Sequence, residues 1–162
     1  MWLFFKQSRH YWFVWGGLAI QNIEAIDLAR EILLGSDYSI VVVKNGKLLT
    51  AKRGNGIRPI LEAIDELGEN MQGSTVGDRI LGKASALLCA YAKVAGVYTP
   101  QATKTAIAVL LRANIPGQTD EMIPHIKNKD GSDICPFEKM LSGVDSPEEA
   151  YTILKKTLKR TQ

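Results

Sequence analysis

The sequence predicts a mixed α/β fold in which helices cover both faces of a central sheet. Two patterns predict it: a β-branched strand followed by a hairpin turn, and, later in the chain, helices that alternate with short strands. A chain of 162 residues with 46% apolar and 23% charged residues is typical of one globular domain. We therefore expect a three-layer α/β/α domain, with right-handed crossovers wherever strands run parallel.

The first half of the domain is predicted to hold a helix, a hairpin and a second helix. Apolar residues at three- and four-residue spacing predict a helix over Asn22–Leu34. Tyr38–Lys44 is β-branched and predicts a strand buried on both faces. Asn45-Gly46 predicts a tight turn into the partner strand Lys47–Lys52. Ile57–Leu67 is then predicted to be a helix.

The second half is predicted to alternate helices with short strands. A capping-box variant over Thr75–Asp78 predicts the start of the longest helix, and a full capping box over Ser146–Glu149 predicts a C-terminal helix. The predicted segments are a helix over Thr75–Val94, a strand over Gly96–Thr99, a helix over Pro100–Arg112, a weak strand over Ile115–Thr119, a short turn or helix over Asp120–Ile126, a helix over Cys135–Leu141 and a helix over 146–160.

The charge of the chain is concentrated at its two ends. The net charge is +3, but residues 1–20 contribute two basic groups and residues 151–162 four, and neither segment holds an acidic group. The rest of the chain carries 14 basic against 17 acidic groups, so its body is slightly acidic. A nucleic-acid-binding domain usually carries a basic stripe on its body, and we therefore expect no nucleic-acid partner.

The first 15 residues differ in composition from the rest of the chain. They hold seven of the 12 aromatic residues, including all three tryptophans. Three interpretations are open: a mis-assigned translation start, a signal peptide, or an anchor at a membrane surface. We favour the first. We expect residues 1–20 to be an aromatic-rich extension that is not part of the fold, and residues 21–162 to form a single domain.

Two motifs resemble the signatures of one protein family. Residues 78–86 have the sequence DRILGKASA, and IPHIKNKDG at 123–131 is followed by CPFEK at 135–139. These resemble the patterns DRxxGKAAA and VPYIxNRDG…CPMEK of a small prokaryotic family of unknown function, placed in the cytidine-deaminase-like superfamily. His125 stands where the pattern favours Tyr, and Lys129 where it favours Arg. The resemblance implies a cytidine-deaminase-like fold over most of the chain.

That resemblance raises the question of a zinc site. Zinc deaminases carry His or Cys together with Glu at the start of the central helix, and a Cys pair at the start of the next. Here the central helix holds Gly82-Lys83-Ala84 and the later helix offers only Cys135, which is too few ligands for a catalytic zinc. Cys89 is expected to pack inside an apolar helix. We therefore expect no metal and no cofactor.

The two motifs also supply the candidate site residues. Those expected to contact a ligand are Asp78, Gly82, Lys83, Asn128, Asp130 and Gly131. The candidate catalytic residues are Cys135, at a helix N-terminus whose partial charge favours a thiolate, and Glu138, one turn later. We expect the starts of the two motif helices to lie side by side, with Lys83 in the cleft between them. Capping, turn formation and ion pairing are the structural alternatives for these residues.

Three classes of function are open. The first is a zinc-independent domain that binds a small nucleotide-like or anionic ligand in a regulatory or sensing role. The second is a zinc-independent enzyme with Cys135 as nucleophile and Lys83, Asp130 or Glu138 as acid–base partner. The third is a protein-interaction or oligomerisation module. We favour the first, with a small-molecule ligand, no membrane partner and a cytoplasmic location, and leave a homo-oligomer open.

Overall fold

The computed structural model of the protein describes residues 2–7, 10–15 and 20–160. Its strands are β1 (Trp2–Gln7), β2 (His10–Trp15), β3 (Ile40–Lys44), β4 (Lys47–Lys52), β5 (Thr75–Asp78), β6 (Ile80–Leu81), β7 (Gly96–Thr103) and β8 (Gly117–Ile123). Its helices are α1 (Ile20–Leu34), α2 (Arg58–Leu67), α3 (Lys83–Tyr91), α4 (Lys104–Arg112), α5 (Pro136–Met140) and α6 (Pro147–Arg160). Across these ranges, no helix has the length and apolar character needed to cross a membrane.

The strands form one mixed sheet in the order β1-β2-β8-β7-β5-β3-β4, with β6 paired beside β7. Strands β5, β7 and β8 run parallel, whereas β3, β4 and the β1–β2 hairpin pair antiparallel to their neighbours. Helix α1 packs on one face, and α2, α3, α4 and α6 share the core on the other. The predicted fold class, a mixed sheet with helices on both faces, is confirmed.

Strand β3 shows why both faces of the sheet need a cover. Val41 and Val43 belong to the core beneath α1, whereas Ile40 and Val42 belong to the core on the opposite face, and all four are buried. The following turn, Asn45-Gly46, has φ of 52° and 72°, as a two-residue type I′ hairpin requires. The hairpin predicted from the sequence is therefore present.

The predicted helix over Thr75–Val94 is wrong in its first part. Thr75–Asp78 is strand β5, which lies between β3 and β7, and helix α3 begins only at Lys83. Gly77 explains the difference, because a Cβ at that position would lie 2.7 Å from Val41 Cγ2. The Thr-x-x-Asp pattern therefore belongs to a fully buried strand with close neighbours on both sides, and it does not cap a helix.

Strand β7 is longer than predicted, and the helix after it is shorter. β7 continues from the predicted Gly96–Thr99 through Pro100 to Thr103, so α4 begins at Lys104. The cap is Thr103, whose Oγ1 accepts a hydrogen bond from Ala106 N at 3.1 Å. Proline at position 100 suggested a helix start, but here it lies within a strand.

Strand β8 also runs further than the sequence suggests. It spans Gly117–Ile123, where the weak strand was predicted over Ile115–Thr119 and a turn or short helix over Asp120–Ile126. Its parallel pairing with β7 extends as far as the pair Thr103 and Ile123. The partner strand, which local sequence does not reveal, therefore sets where β8 ends.

The aromatic N-terminal segment contributes two strands, which corrects the expectation that residues 1–20 are not part of the fold. β1 pairs with β2, and β2 pairs with the edge of β8. Phe13 is fully buried, and a Cβ on Gly117 would lie 2.5 Å from Phe13 Cζ, so the ring fills the space above that glycine. Residues 1, 8–9 and 16–19 of the segment lie outside the described residues.

The C-terminal helix follows its predicted cap. Ser146 Oγ accepts a hydrogen bond from Glu149 N at 3.2 Å, and α6 begins at the next residue. Leu154 is fully buried, and the ring of Tyr151 stacks on Tyr91 of α3 with centroids 4.1 Å apart. Helix α6 is therefore packed into the main core.

We predict that Phe13→Ala lowers the free energy of unfolding by about 3–5 kcal/mol, as loss of a fully buried aromatic side chain does. Chemical denaturation followed by circular dichroism measures the change. Lys6→Ala, at an exposed position of the same hairpin where the ammonium lies 5.2 Å from the centre of the Tyr11 ring, is the control and should change stability by about 1 kcal/mol or less. Equal stability of the Phe13 variant and the parent would mean that the segment does not pack on the domain.

Candidate functional site

The loops that follow three parallel strands meet at one edge of the sheet. Strand β6 ends just before Gly82, β7 ends at Thr103 and β8 ends at Ile123. The first of these ends leads into α3, the second into α4, and the third into the loop before α5. In open α/β sheets, ligands usually bind outside the carboxyl ends of the strands. This edge is therefore the place to look for a functional site.

Lys83, a predicted ligand-binding residue, is the first residue of α3. Its Nζ donates a hydrogen bond to the Ser142 carbonyl oxygen at 3.2 Å and lies 3.0 Å from Asp145 Oδ1. Arg112, the last residue of α4, places Nη1 3.8 Å from the same oxygen. The hydrogen bond and charge of Lys83, together with the charge of Arg112, hold the pKa of Asp145 below its ordinary value.

Glu138, a predicted catalytic residue, caps helix α3 from helix α5. Its Oε2 accepts a hydrogen bond from Lys83 N at 3.0 Å, and its Oε1 accepts one from Ala84 N at 3.1 Å. The first amides of an α-helix have no partner inside the helix, and the positive end of the helix dipole favours a carboxylate. This contact brings the two sequence motifs together.

Gly82 is required by that contact. A Cβ at position 82 would overlap Glu138 Oε1 and would lie 2.6 Å from Ile126 Cδ1. Its φ of −103° is accessible to any residue, so the need for glycine is steric. Gly82 is a predicted ligand-binding residue, and in the structure a side chain from the second motif packs closely against it.

Arg79 is a structural residue of the first motif. Its Nε donates to the Tyr38 carbonyl oxygen at 2.7 Å, and its Nη2 donates to the carbonyl oxygens of Leu33, at 2.7 Å, and Ser36. These carbonyls lie at the C-terminal end of α1 and in the segment after it. A guanidinium in this position satisfies acceptors that the helix leaves free and ties α1 to the sheet.

Asp78 lies in the interior beneath α3 and not at the surface of the cleft. Its side chain is 7% exposed, and its Oδ1 accepts a hydrogen bond from Ile80 N at 3.2 Å. Burial raises the pKa of Asp78 to about 7, against the opposing effect of hydrogen bonds from Ile80 N and the Ser85 side chain. Burial, with a smaller effect of the Asp78 charge, also raises the pKa of the Cys89 thiol.

A cleft of about 300 Å³ opens between the starts of α3 and α5 and one face of α4. Its basic and hydroxyl side chains are Lys83, Arg112, His125, Thr103, Thr105 and Ser142. Apolar side chains and one carboxylate complete the lining: Ala108, Pro124, Ile134 and Glu138. The cleft thus contains Lys83 and Glu138 of the predicted residues, together with groups from α4 and from the loop after β8.

The segment Asn128–Gly131 forms a turn that is stabilised by local hydrogen bonds and does not line the cleft. Asp130 Oδ1 accepts hydrogen bonds from Ser132 N at 3.0 Å and Ser132 Oγ at 2.6 Å, and these bonds lower the pKa of Asp130. Asn128 Oδ1 accepts one from Asp133 N at 3.2 Å, and Gly131 has φ of 74°. Turn chemistry accounts for these three predicted ligand-binding residues.

Cys135, the predicted nucleophile, precedes α5 and is half-buried. Its backbone N donates to the Ile126 carbonyl oxygen at 2.8 Å, and its flanking residue Ile134 lines the cleft while Cys135 itself does not. The nucleophilic role therefore has no support from the position of this side chain.

The residues at the start of α3 do not fit the zinc centre of a deaminase. A catalytic zinc takes three protein ligands, but the space beside Gly82 is filled by Glu138 and Ile126. The next helix, α4, begins with Lys104 and Thr105 and carries no cysteine. Within residues 2–7, 10–15 and 20–160, no three His, Cys, Asp or Glu side chains are grouped to hold a metal.

The α4 wall of the cleft was missed from the sequence. Thr105, Ala108 and Arg112 recur at three- and four-residue spacing and therefore share one helix face. The signal that could have found them is the position of a helix start directly after a parallel strand. The sequence does not reveal this helix start, because Pro100 predicts that the helix begins earlier.

Comparison with known families gives a match over the region that holds both motifs. The family described as the domain of unknown function DUF1893 (TM1506) matches residues 28–158. The chain belongs to the DUF1893 family. No curated protein matches it.

One solved structure agrees with this DUF1893 assignment. The crystal structure of a DUF1893 family protein, TM1506 from Thermotoga maritima, matches with a TM-score of 0.76 and 26% identity, over 86% of this chain and 92% of that chain. Two forms of RibD from Acinetobacter baumannii match with TM-scores of 0.39 and 0.41 and identities of 20% and 21%. They cover 63% and 62% of this chain but only 34% and 33% of RibD, and at such TM-scores they carry no argument about function.

We predict that Asp78 makes this DUF1893 protein less stable as pH rises from about 4 to about 7. In that range the unfolded chain loses the Asp78 proton, whose ordinary pKa is 3.8, while the folded protein retains it up to a pKa of about 7. The free energy of unfolding then falls by about 1.4 kcal/mol per pH unit from this group. Below pH 4 and above pH 7 its contribution is constant.

Asp78→Asn removes the titrating group and keeps an acceptor for Ile80 N, so its pH profile of stability should be flatter between pH 4 and 7. Urea unfolding at a series of pH values measures the difference from the parent. Asp37→Asn is the matched control, because Asp37 is exposed and Arg53 lowers its pKa. Parallel profiles for the Asp78 variant and the parent would contradict the prediction.

We predict that Gly82→Ala lowers the free energy of unfolding by about 1–3 kcal/mol, because the new methyl group displaces Glu138 and Ile126 from the start of α3. Thermal and chemical denaturation measure the loss. Gly143→Ala is the control, since a Cβ at position 143 meets no atom within 4 Å. A Gly82 variant as stable as the Gly143 variant would show that the start of α3 tolerates displacement of the carboxylate.

Proposed function

We propose that this DUF1893 protein is a zinc-independent member of the cytidine-deaminase-like superfamily, and that its cleft binds a small anionic, nucleotide-like ligand in a regulatory or sensing role. The observation that carries the proposal is the convergence of Lys83, Arg112 and His125 on one cleft at the carboxyl ends of the parallel strands. The motifs and the order of elements support the superfamily, and the residues at the start of α3 support zinc independence.

The polar groups of the cleft favour an anion. Ammonium and guanidinium groups make their strongest hydrogen bonds to carboxylate and phosphate oxygens, and Arg112 can do so with two nitrogens. Thr105, whose hydroxyl is hydrogen-bonded to that of Thr103, and Ser142 add hydroxyl groups to the lining. Glu138 faces the cleft as well, but its carboxylate accepts the two amides at the start of α3, which offset its negative charge.

The apolar groups of the cleft favour a ligand with a planar or apolar part. Ala108, Pro124 and Ile134 form such a wall beside the basic groups. The volume of about 300 Å³ lies at the lower end of the range for small-ligand sites, roughly 300–1,000 Å³. A nucleoside monophosphate or a similar small anion suits these walls better than a dinucleotide.

A regulatory or sensing role is supported by the positions of the candidate catalytic groups, which are hydrogen-bonded within the fold or lie outside the cleft lining. Both oxygens of Glu138 accept backbone hydrogen bonds, so this carboxylate serves the fold. Asp78 lies beneath α3, and Cys135 does not line the cleft. The other polar groups that line the cleft are suited to binding an anion. They do not form a nucleophile with an acid–base partner.

We predict that inorganic phosphate or a nucleoside monophosphate raises the melting temperature, and that Lys83→Met weakens binding roughly thirtyfold. Loss of one charge-assisted hydrogen bond costs about 2 kcal/mol, which corresponds to that factor. Thermal shift and titration calorimetry with phosphate, nucleosides, nucleoside monophosphates and nucleotide sugars measure both effects.

Arg112→Met is the second variant for this prediction. Its side chain is 64% exposed, so the fold should tolerate the change even if loss of Lys83 does not leave a stable protein. Lys129→Met, in the loop away from the cleft lining, is the matched control and should bind like the parent. A well-folded parent that none of these compounds stabilises would contradict the proposal.

A further inference from the structure

Two carboxylates contact residues of the cleft, and they are held in different ways. Glu138 accepts two backbone amides and is enclosed tightly enough to exclude a Cβ from Gly82. Asp145 has a side chain that is 65% exposed, and it lies in the short segment between α5 and α6. The first carboxylate is therefore a fixed part of the fold, whereas the second is accessible to exchange.

A single oxygen of Asp145, Oδ1, faces both Lys83 and Arg112. Lys83 Nζ lies 3.0 Å from Asp145 Oδ1, and Arg112 Nη1 lies 3.8 Å from the same atom. The Lys83 side chain is only 11% exposed, so its ammonium group can reach few other partners. The two cations thus come from two separate helices, α3 and α4, and the Asp145 carboxylate lies between them.

We propose that the space between Lys83 Nζ and Arg112 Nη1 is the subsite for the anionic group of the ligand, and that Asp145 occupies it as an exchangeable internal counter-ion. This inference rests on the proposed function, since it assigns the position of the ligand's charge and the means by which binding is sensed. The ligand class is a phosphate or carboxylate with at least two oxygens free to accept hydrogen bonds. Such a group can accept hydrogen bonds from the Lys83 ammonium and the Arg112 guanidinium through separate oxygens. In the structure, a single oxygen of Asp145 contacts both groups, at unequal distances.

Exchange of the two anions couples the cleft to the segment that precedes α6. Lys83 Nζ also holds the Ser142 carbonyl oxygen, so both of its contacts lie in residues 142–145. When a ligand anion replaces Asp145, this segment loses its ion pairs with α3 and α4. Helix α6 itself keeps its packing through Leu154 and Tyr151, so the expected change is confined to the segment before it.

An internal competitor lowers apparent affinity, because the ligand must displace it before it can bind. Asp145→Asn removes the competing charge while it keeps the size of the side chain. We expect this variant to bind inorganic phosphate and a nucleoside 5′-monophosphate roughly tenfold more tightly than the parent does, within the usual range of coupling between a site and its competitor. The uncharged nucleoside should gain nothing from the substitution.

Titration calorimetry of the full chain with phosphate, the monophosphate and the nucleoside provides the test. Asp133→Asn is the matched control, because Asp133 is also an exposed carboxylate paired with a lysine, but its partner is Lys139 and not a cation of the cleft. A second measurement uses the unaltered protein: hydrogen exchange of the amides at 142–145 should become faster in saturating phosphate, while that of α6 should not change.

The outcomes separate the two proposals. Tighter binding of the charged compounds by the Asp145 variant than by the parent and the Asp133 variant supports the subsite. Equal or weaker binding by that variant, or unchanged exchange at 142–145 in saturating phosphate, overturns the subsite while binding by the parent upholds the proposed function. Binding by neither protein overturns both.

Discussion

The carboxylate of Glu138, supplied by α5, satisfies the amides of Lys83 and Ala84 at the start of α3. A helix start at the carboxyl edge of a parallel sheet is a ready anion site, because its free amides and partial positive charge attract one. In this protein the anion is a side chain, and it ties the second motif to the first. The need for glycine at position 82 follows from the same contact. The space available to a ligand is therefore displaced towards α4.

Two polar side chains of the first motif, Arg79 and Asp78, serve the fold. Arg79 binds carbonyls at the end of α1, and Asp78 is buried with a pKa near 7 beneath α3. A buried carboxyl group with a raised pKa is often a sign of a functional site. Here its partners are Ile80 N and the Ser85 side chain, and it does not line the cleft, so the geometry places it in the structural framework.

Local sequence predicted the elements whose causes are local. The Asn45-Gly46 turn and the Ser146 cap each depend on residues within four positions, and both were found where expected. Strand β5 was mistaken for a helix because its cause is distant, namely a close approach of Val41 to Gly77. The same distinction applies to the site residues. Lys83 and Glu138 belong to motifs that the sequence reveals, whereas Arg112 lines the cleft because α4 packs beside α3.

The two carboxylates near Lys83, Glu138 and Asp145, differ in how strongly each is held. Glu138 is bound by two amides whose positions are set by the helix backbone, so its release would leave a helix end unsatisfied. Asp145 faces solvent and is held by two side chains, and exchange for an external anion leaves no buried group without a partner. A cleft built in this way can respond to an anion without disturbing the core, because the group that yields belongs to the segment between two helices. The proposed sensing role would rest on the unequal cost of replacing these two carboxylates.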